Sequence, residues 1–307
     1  MAKTVSKDRR AYIITGPTSG IGLATAMELA KHGTMILVGR NQQKLDRVKK
    51  EIERTGQEAV TITCDISDIV SVRRAAKKII ELGLPIAGVL NNAGIMSQKA
   101  AKNAQGWDMT YATNHLGAFA FTEALVPHLP DGANVLFVAS AIEDPERKPA
   151  KMMGMKGGRY ISAEASARGE WKEGGAKLPG IDAYATSKQC ILASAMVFAR
   201  EMPRLHFNAV EPGITQGTNL GGGDTNAVVR FIFGKLMAIL PPFSKYSSTP
   251  KRSAHTITKI ITDTSGRTGV YFDEKGQPML ASDQARDPKF QERVVTETRA
   301  LLSAIKA

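Results

Sequence analysis

A chain of 307 residues, 43% hydrophobic and 23% charged, has the composition of an ordinary soluble globular protein, and could form one large α/β domain or two small ones with a substantial core. Its net charge of +12 suits attraction to phosphorylated ligands, but no zinc finger, aromatic platform or concentrated basic helix accompanies it, so nucleic acid is not expected as a partner. No apolar run approaches the ~20 residues of a membrane-spanning helix, and two cysteines in core-patterned segments, Cys64 and Cys190, imply no disulfide framework, which together fit a reducing, cytoplasmic setting.

Met1 to Arg10 is short and polar, and the apolar run after it meets a glycine-rich turn instead of a signal-peptide cleavage pattern. That run, Ala11 to Thr15, reads as a buried parallel strand. Gly16, Gly20 and Gly22 follow, and from Ile21 the pattern turns helical. Strand, glycine turn and helix form a context in which backbone amides and a helix N-terminus approach a pyrophosphate. The spacing is GxxxGxG, which departs from the GxGxxG dinucleotide fingerprint. A second strand, Thr34 to Val38, leads to Arg40, about twenty residues beyond the glycine turn. An acidic residue there would bind the ribose 2′-hydroxyl of NAD, whereas an arginine accommodates the 2′-phosphate of NADP, so Arg40 points to NADP(H). Lys44 could assist or could be a solvated helix charge.

The alternation continues through a helix at Asn41 to Arg54, a strand at Ala59 to Cys64, a helix carrying Val72, Ala75, Ala76 and Ile79, and a strand at Ile86 to Leu90. Asn91-Asn92-Ala93-Gly94 is a turn at that strand's carboxyl end, the edge where open α/β sheets bind ligands, and Asp65 falls on the same edge. A helix from about Trp107 to His128 and a strand from Asn134 to Ala139, ending at Ser140, complete a doubly wound pattern with a parallel sheet between helices. Residues 141–183 then break the alternation, with one short helix expected near Ile161 to Trp171, and read as a structured flap.

Asp182 to Lys188 opens the next helix. Tyr184 and Lys188, four apart, share a face there, and a cation beside the phenol would lower its pKa toward the range useful for general acid–base catalysis. Leu205 to Val210 reads as a strand, Glu211-Pro212-Gly213 as the loop leaving it, and Gly221 to Gly223 as a hinge. Phe231 to Phe243 could be a substrate lid, core or a membrane-contacting helix. Gly269 to Phe272 is a last strand and Lys289 to Ile305 a closing helix. With no linker or repeat, residues 1–307 read as a single Rossmann-type domain, with 214–260 as the lid region.

These residues together resemble the short-chain dehydrogenase/reductase family. The matching motifs are Thr15-Gly16 with Gly20-Ile21-Gly22, Asp65, Asn91 to Gly94, Asn114, Ser140, Tyr184 with Lys188, and Pro212-Gly213. Arg40, the stretch around Asn114 and the tail from Thr249 are similar to NADP-using retinol dehydrogenase-like members, and the long insertion resembles that of monomeric carbonyl reductases. The resemblance implies that Tyr184 exchanges a proton with a carbonyl or alcohol while hydride passes to or from the nicotinamide. Lys188 would lower the tyrosine's pKa and hold the nicotinamide ribose, Ser140 would bond the substrate oxygen, and Asn114 would anchor a relay water. Gly16, Thr18, Gly20, Ile21 and Gly22 would meet the pyrophosphate, and Ser19 and Arg40 the 2′-phosphate. Asp65 and Ile66 would flank the adenine, Asn92, Ala93 and Gly94 its ribose, and Pro212, Gly213 and Thr215 the nicotinamide, with Thr218 an alternative to Thr215.

Ser19 stands where many NADP-dependent members carry a basic residue, so the cofactor expectation leans on Arg40. The expected activity is NADP(H)-dependent reduction of a ketone or aldehyde on a bulky apolar small-molecule substrate. A carbon–carbon double-bond reductase, or a non-catalytic NADP(H) sensor on the same fold, is the alternative. The insertion is expected to cover the helix faces through which many members form tetramers, favouring a monomer, with a homodimer the second possibility.

Overall fold

The computed structural model describes residues 9–177, 180–215 and 246–305. Thr218, the hinge at Gly221 to Gly223 and the Phe231 to Phe243 segment lie outside the described residues. The N-terminal half alternates as β1 (Ala11–Thr15), α1 (Gly20–Leu29), β2 (Thr34–Gly39), α2 (Gln42–Arg54), β3 (Ala59–Thr63), α3 (Ile69–Glu81) and β4 (Ile86–Asn91). A composite helix follows: α4 (Met109–Tyr111), a π-helical stretch (Ala112–Gly117), α5 (Ala118–Leu125) and a closing 3-10 turn (Val126–His128). Then come β5 (Asn134–Val138), α6 (Lys148–Met152), α7 (Ala163–Arg168), α8 (Ile181–Glu201), β6 (His206–Val210) and β7 (Ile214–Thr215). The chain closes with β8 (Ser247–Ser248), α9 (Pro250–Ile261), β9 (Val270–Phe272), α10 (Asp283–Arg286) and α11 (Pro288–Ser303).

Seven parallel strands run in the order β3-β2-β1-β4-β5-β6-β9. Alternation along each strand sends side chains to two separate cores. Ile13, Val135 and Phe137 join α3, α5, α8 and α11 on one face, while Tyr12, Ile14, Leu136 and Val138 join α1, α2 and α9 on the other. Both faces are thus buried, which is why the strands read as continuous apolar runs. The order reverses between β1 and β4, so the glycine turn after β1 and the Asn91 to Gly94 turn after β4 flank the switch-point crevice.

Three parts depart from expectation. Residues 250–260, within the expected lid region, form most of α9, a core helix whose Ile257, Ile260 and Ile261 pack in the α1 core. Thr249 caps it by accepting the Arg252 amide at 3.2 Å, and Pro250 opens it. The Trp107 to His128 helix is not uniformly α: it is π-helical around Asn114. In the insertion, α6 joins the expected short helix, and both the segment before α7 and the start of α7 are pinned to α11. Glu297 accepts the Tyr160 hydroxyl at 2.7 Å and the Ala163 amide at 2.9 Å. Cys64 and Cys190 are buried and unpaired with each other.

Candidate active site

The carboxyl ends of β1, β2, β4, β5 and β6 open on one cleft of about 1120 Å³. At its base is the turn between β1 and α1. Gly16 (φ +69°) and Gly20 (φ +54°) occupy the left-handed region that favours glycine, and a Cβ on Gly22 would lie 2.2 Å from the Gly16 carbonyl oxygen. Only glycines allow this turn. Ser19 precedes α1 in extended conformation without a side-chain cap, and the first turn carries no acidic residue. The helix N-terminus therefore presents uncapped donors and its positive dipole end to the cleft. A glycine cradle over such a donor set fits a pyrophosphate. Thr15 Oγ1 accepts the amides of Asn92 and Ala93 at 3.0 and 2.9 Å, and Asn92 Nδ2 donates to the carbonyls of Thr15 and Gly16 at 2.9 and 3.2 Å, locking the two turns together.

Every expected cofactor-side residue lines this cleft: Gly16, Thr18, Ser19, Gly20, Ile21, Gly22, Arg40, Asp65, Ile66, Asn92, Ala93, Gly94, Tyr184, Lys188, Pro212, Gly213 and Thr215. Lys44 lines it as well. Asp65 Oδ1 accepts both the amide and the hydroxyl of Ser67, at 2.9 and 2.8 Å, which fixes the turn after β3. Gly117 lets the π-helical stretch sit against that turn, since a Cβ there would fall 1.8 Å from the Ile66 carbonyl oxygen.

Ser140, Tyr184 and Lys188 meet on the opposite wall. Tyr184 is 8% exposed and Lys188 4%. Burial pushes the Tyr184 phenol above its ordinary value, the nearby Glu211 carboxylate pushes the same way, and the Ser140 hydroxyl opposes them. Burial draws Lys188 down to about 8, with Glu211 opposing. Lys188 Nζ donates to the Val138 carbonyl at 2.6 Å and lies 5.6 Å from the Tyr184 ring centroid. The lowered phenol pKa expected from the helical spacing is thus corrected in the protein alone: loss of water outweighs a cation held against the strand end.

Asn114 is 2% exposed and stands behind the wall. Its Oδ1 accepts the Ile95 amide at 2.8 Å, and its Nδ2 donates to the Ile95 carbonyl at 2.8 Å and to Ser187 Oγ at 3.0 Å. Ser187 Oγ in turn donates to the Tyr184 carbonyl at 2.7 Å. Asn114 therefore couples the turn after β4 to the first turns of α8.

Glu211, which the sequence presents only as part of a loop, also lines the cleft. Its carboxylate, 7% exposed, accepts the Ala141 amide and, at 3.0 Å, the Gly213 amide. It joins the segment leaving β5 to the segment leaving β6, and burial raises its pKa. The available signal was an acidic residue placed directly between a buried strand and Pro212-Gly213, at the ligand-binding edge.

Fold and cleft define the dinucleotide-binding class of doubly wound α/β proteins. Residues 10–153 match the family model for short chain dehydrogenases. The chain is 35% identical to human retinol dehydrogenase 11 over 133 residues, covering 42% of each protein. It is 26% identical to human retinol dehydrogenase 13 over 306 residues, covering 95% of this chain and 84% of the relative. The solved structure of an uncharacterized Mycobacterium paratuberculosis protein superposes with a TM-score of 0.68 at 25% identity, covering 98% of this chain and 96% of that one. The matched stretches span about 40% of the length of several relatives at 34–35% identity. The chain thus resembles the short-chain dehydrogenase/reductase family, an oxidoreductase family that uses NAD or NADP.

Proposed function

We propose that the protein is an NADP(H)-dependent oxidoreductase that reduces a ketone or aldehyde on a bulky, largely apolar substrate. The observation that carries this reading is the convergence of Ser140, Tyr184 and Lys188 on one wall of the cleft whose base is the glycine cradle of α1. The amides at Gly20 to Gly22 would hold the pyrophosphate, Arg40 and Ser19 the 2′-phosphate, Asp65 and Ile66 the adenine, and Lys188 the nicotinamide ribose. When bound, the dinucleotide supplies the hydride. Ser140 would hold the substrate oxygen, and Tyr184 would deliver the proton to it. A phenol pushed up by burial is protonated at neutral pH, which suits it to act as the acid of a reduction. Arg40, with no acidic residue at its position, supports NADP over NAD.

The test follows NADPH and NADH consumption against bulky ketones, aldehydes, quinones and enones, with wild type beside Tyr184→Phe and Arg40→Ala. Carbonyl reduction with NADPH should fall at least ~100-fold in Tyr184→Phe, and Arg40→Ala should weaken NADPH binding more than NADH binding. Equal turnover in Tyr184→Phe, or turnover of enones alone, would sink the reading.

A further inference from the structure

Beside Ser140 the cleft wall opens into a side chamber of about 140 Å³. Ile142, Met153 and Ile214 make its apolar lining, and Arg147 and Glu274 also line it. The two charged side chains are 16% and 8% exposed. They form a loose ion pair: Arg147 Nη2 stands 3.6 Å from Glu274 Oε2, just beyond hydrogen-bond reach, and among the described residues the buried Oε2 accepts no hydrogen bond. The rest of the guanidinium is held, with Nη1 on Met279 Sδ at 3.1 Å and the group lying 5.3 Å from the Tyr246 ring centroid.

We infer that this chamber is a substrate subsite for a neutral aliphatic arm ending in a hydroxyl, the hydroxyl bridging Arg147 and Glu274. The inference rests on the reading that Ser140 and Tyr184 hold the reacting carbonyl, because the arm is the substituent on that carbonyl directed into the chamber. A hydroxyl is the small group that donates and accepts through one atom. It can donate to Glu274 Oε2 while accepting from Arg147 Nη2, satisfying both buried groups. A plain alkyl end leaves Glu274 Oε2 without a hydrogen bond. A carboxylate end would face Glu274 and the Glu211 carboxyl that also lines the chamber, and an ammonium end would face Arg147. The chamber therefore selects against the anionic substrates that the net charge of +12 alone would favour.

The experiment compares four ketones of equal chain length whose far end is methyl, hydroxyl, carboxylate or ammonium. kcat/KM is measured with NADPH for wild type, Glu274→Gln and Arg147→Met, and binding of each ketone to the protein with NADPH is followed by calorimetry. In wild type the hydroxyl ketone should exceed the methyl ketone in kcat/KM by tenfold or more, on the order of one satisfied buried hydrogen-bond pair. That ratio should fall toward one in each variant. A ratio near one in wild type, a preference for the carboxylate, or a hydroxyl preference retained in both variants would overturn the subsite. If no ketone turns over, the reading of Ser140 and Tyr184 fails, while calorimetry still tests the chamber: equal affinity for the hydroxyl and methyl ketones would refute it.

Discussion

Lys188 Nζ donates to the carbonyl oxygen of Val138 at 2.6 Å, tying the middle of α8 to the end of β5 next to Ser140. The ammonium is buried for this, and its pKa is drawn to about 8, below the ordinary lysine value. The unfolded chain then binds more protons between about pH 8 and the lysine's ordinary value, so this group lets stability rise with pH across that window, and below it the burial cost is constant. Lys188→Met removes the buried charge at similar length. Its kcat should fall about 100-fold or more, while its Tm relative to wild type should be more favourable at pH 7 than at pH 10. Thermal unfolding at the two pH values checks the sign, and a difference that grows toward pH 10 would contradict it.

Asn114 spends its whole side-chain amide on Ile95 and Ser187. Asn114→Ala leaves the Ile95 amide and carbonyl without their side-chain partner inside a buried wall, which should cost about 2–4 kcal/mol. Tm should drop by roughly 5–10 °C, and kcat should fall more than KM rises, because the turn after β4 and the Tyr184 turn lose their link. Wild-type kcat in a variant of lowered Tm would mean that Asn114 only stabilises the fold.

The strand and helix alternation through β5 was legible because buried parallel strands read as apolar runs and the amphipathic helices carry clear periodicity, as with Val72, Ala75, Ala76 and Ile79 of α3. Ser140, Tyr184 and Lys188 were legible as residues at strand ends and one helical turn apart. Their electrostatics were not. Spacing puts Lys188 near Tyr184, but the direction of a pKa shift depends on burial and on Glu211, which approaches from another strand. The π-helical register at Asn114 was hidden because Asn114 bonds to Ile95, nineteen residues away in the chain. The helix α9 lies mostly inside the stretch 214–260 read as a lid, although Thr249 and Pro250 carry the cap and first-turn signals of a helix start.

The chain's own α11 packs against α8 and reaches α5 through Arg299. Arg299 pairs with Glu123 of α5 at 2.7 Å and with Glu201 of α8 at 2.6 Å, Arg200 donates to Gln291 at 2.7 Å, and His115 and Thr298 lie 2.9 Å apart in the buried layer between. A second copy pairing there would have to displace these contacts. The chain should sediment as a monomer of 33.0 kDa, and truncation before α11 should produce self-association through the uncovered apolar face. A fourfold mass for the intact chain would refute this.

Glu143, three residues beyond Ser140, is fully buried, and its carboxyl accepts the Ser282 amide at 2.9 Å and the Ser282 hydroxyl at 2.5 Å. This contact fastens the 3-10 turn after β5 to the segment leading into α10. Burial raises its pKa to about 7 despite those hydrogen bonds. The folded state therefore holds this proton more tightly than the unfolded chain, and stability falls as pH rises from the ordinary glutamate value to about 7. Glu143→Gln keeps an acceptor for the amide, and its amide nitrogen can donate to the hydroxyl. The variant should match wild type within a few degrees at pH 5 and gain on it by pH 8, where wild type carries a buried charge. Tm measured at both pH values decides the matter: a Gln variant that loses ground between pH 5 and pH 8 would show that the charged carboxylate, and not the neutral acid, is the form the fold prefers.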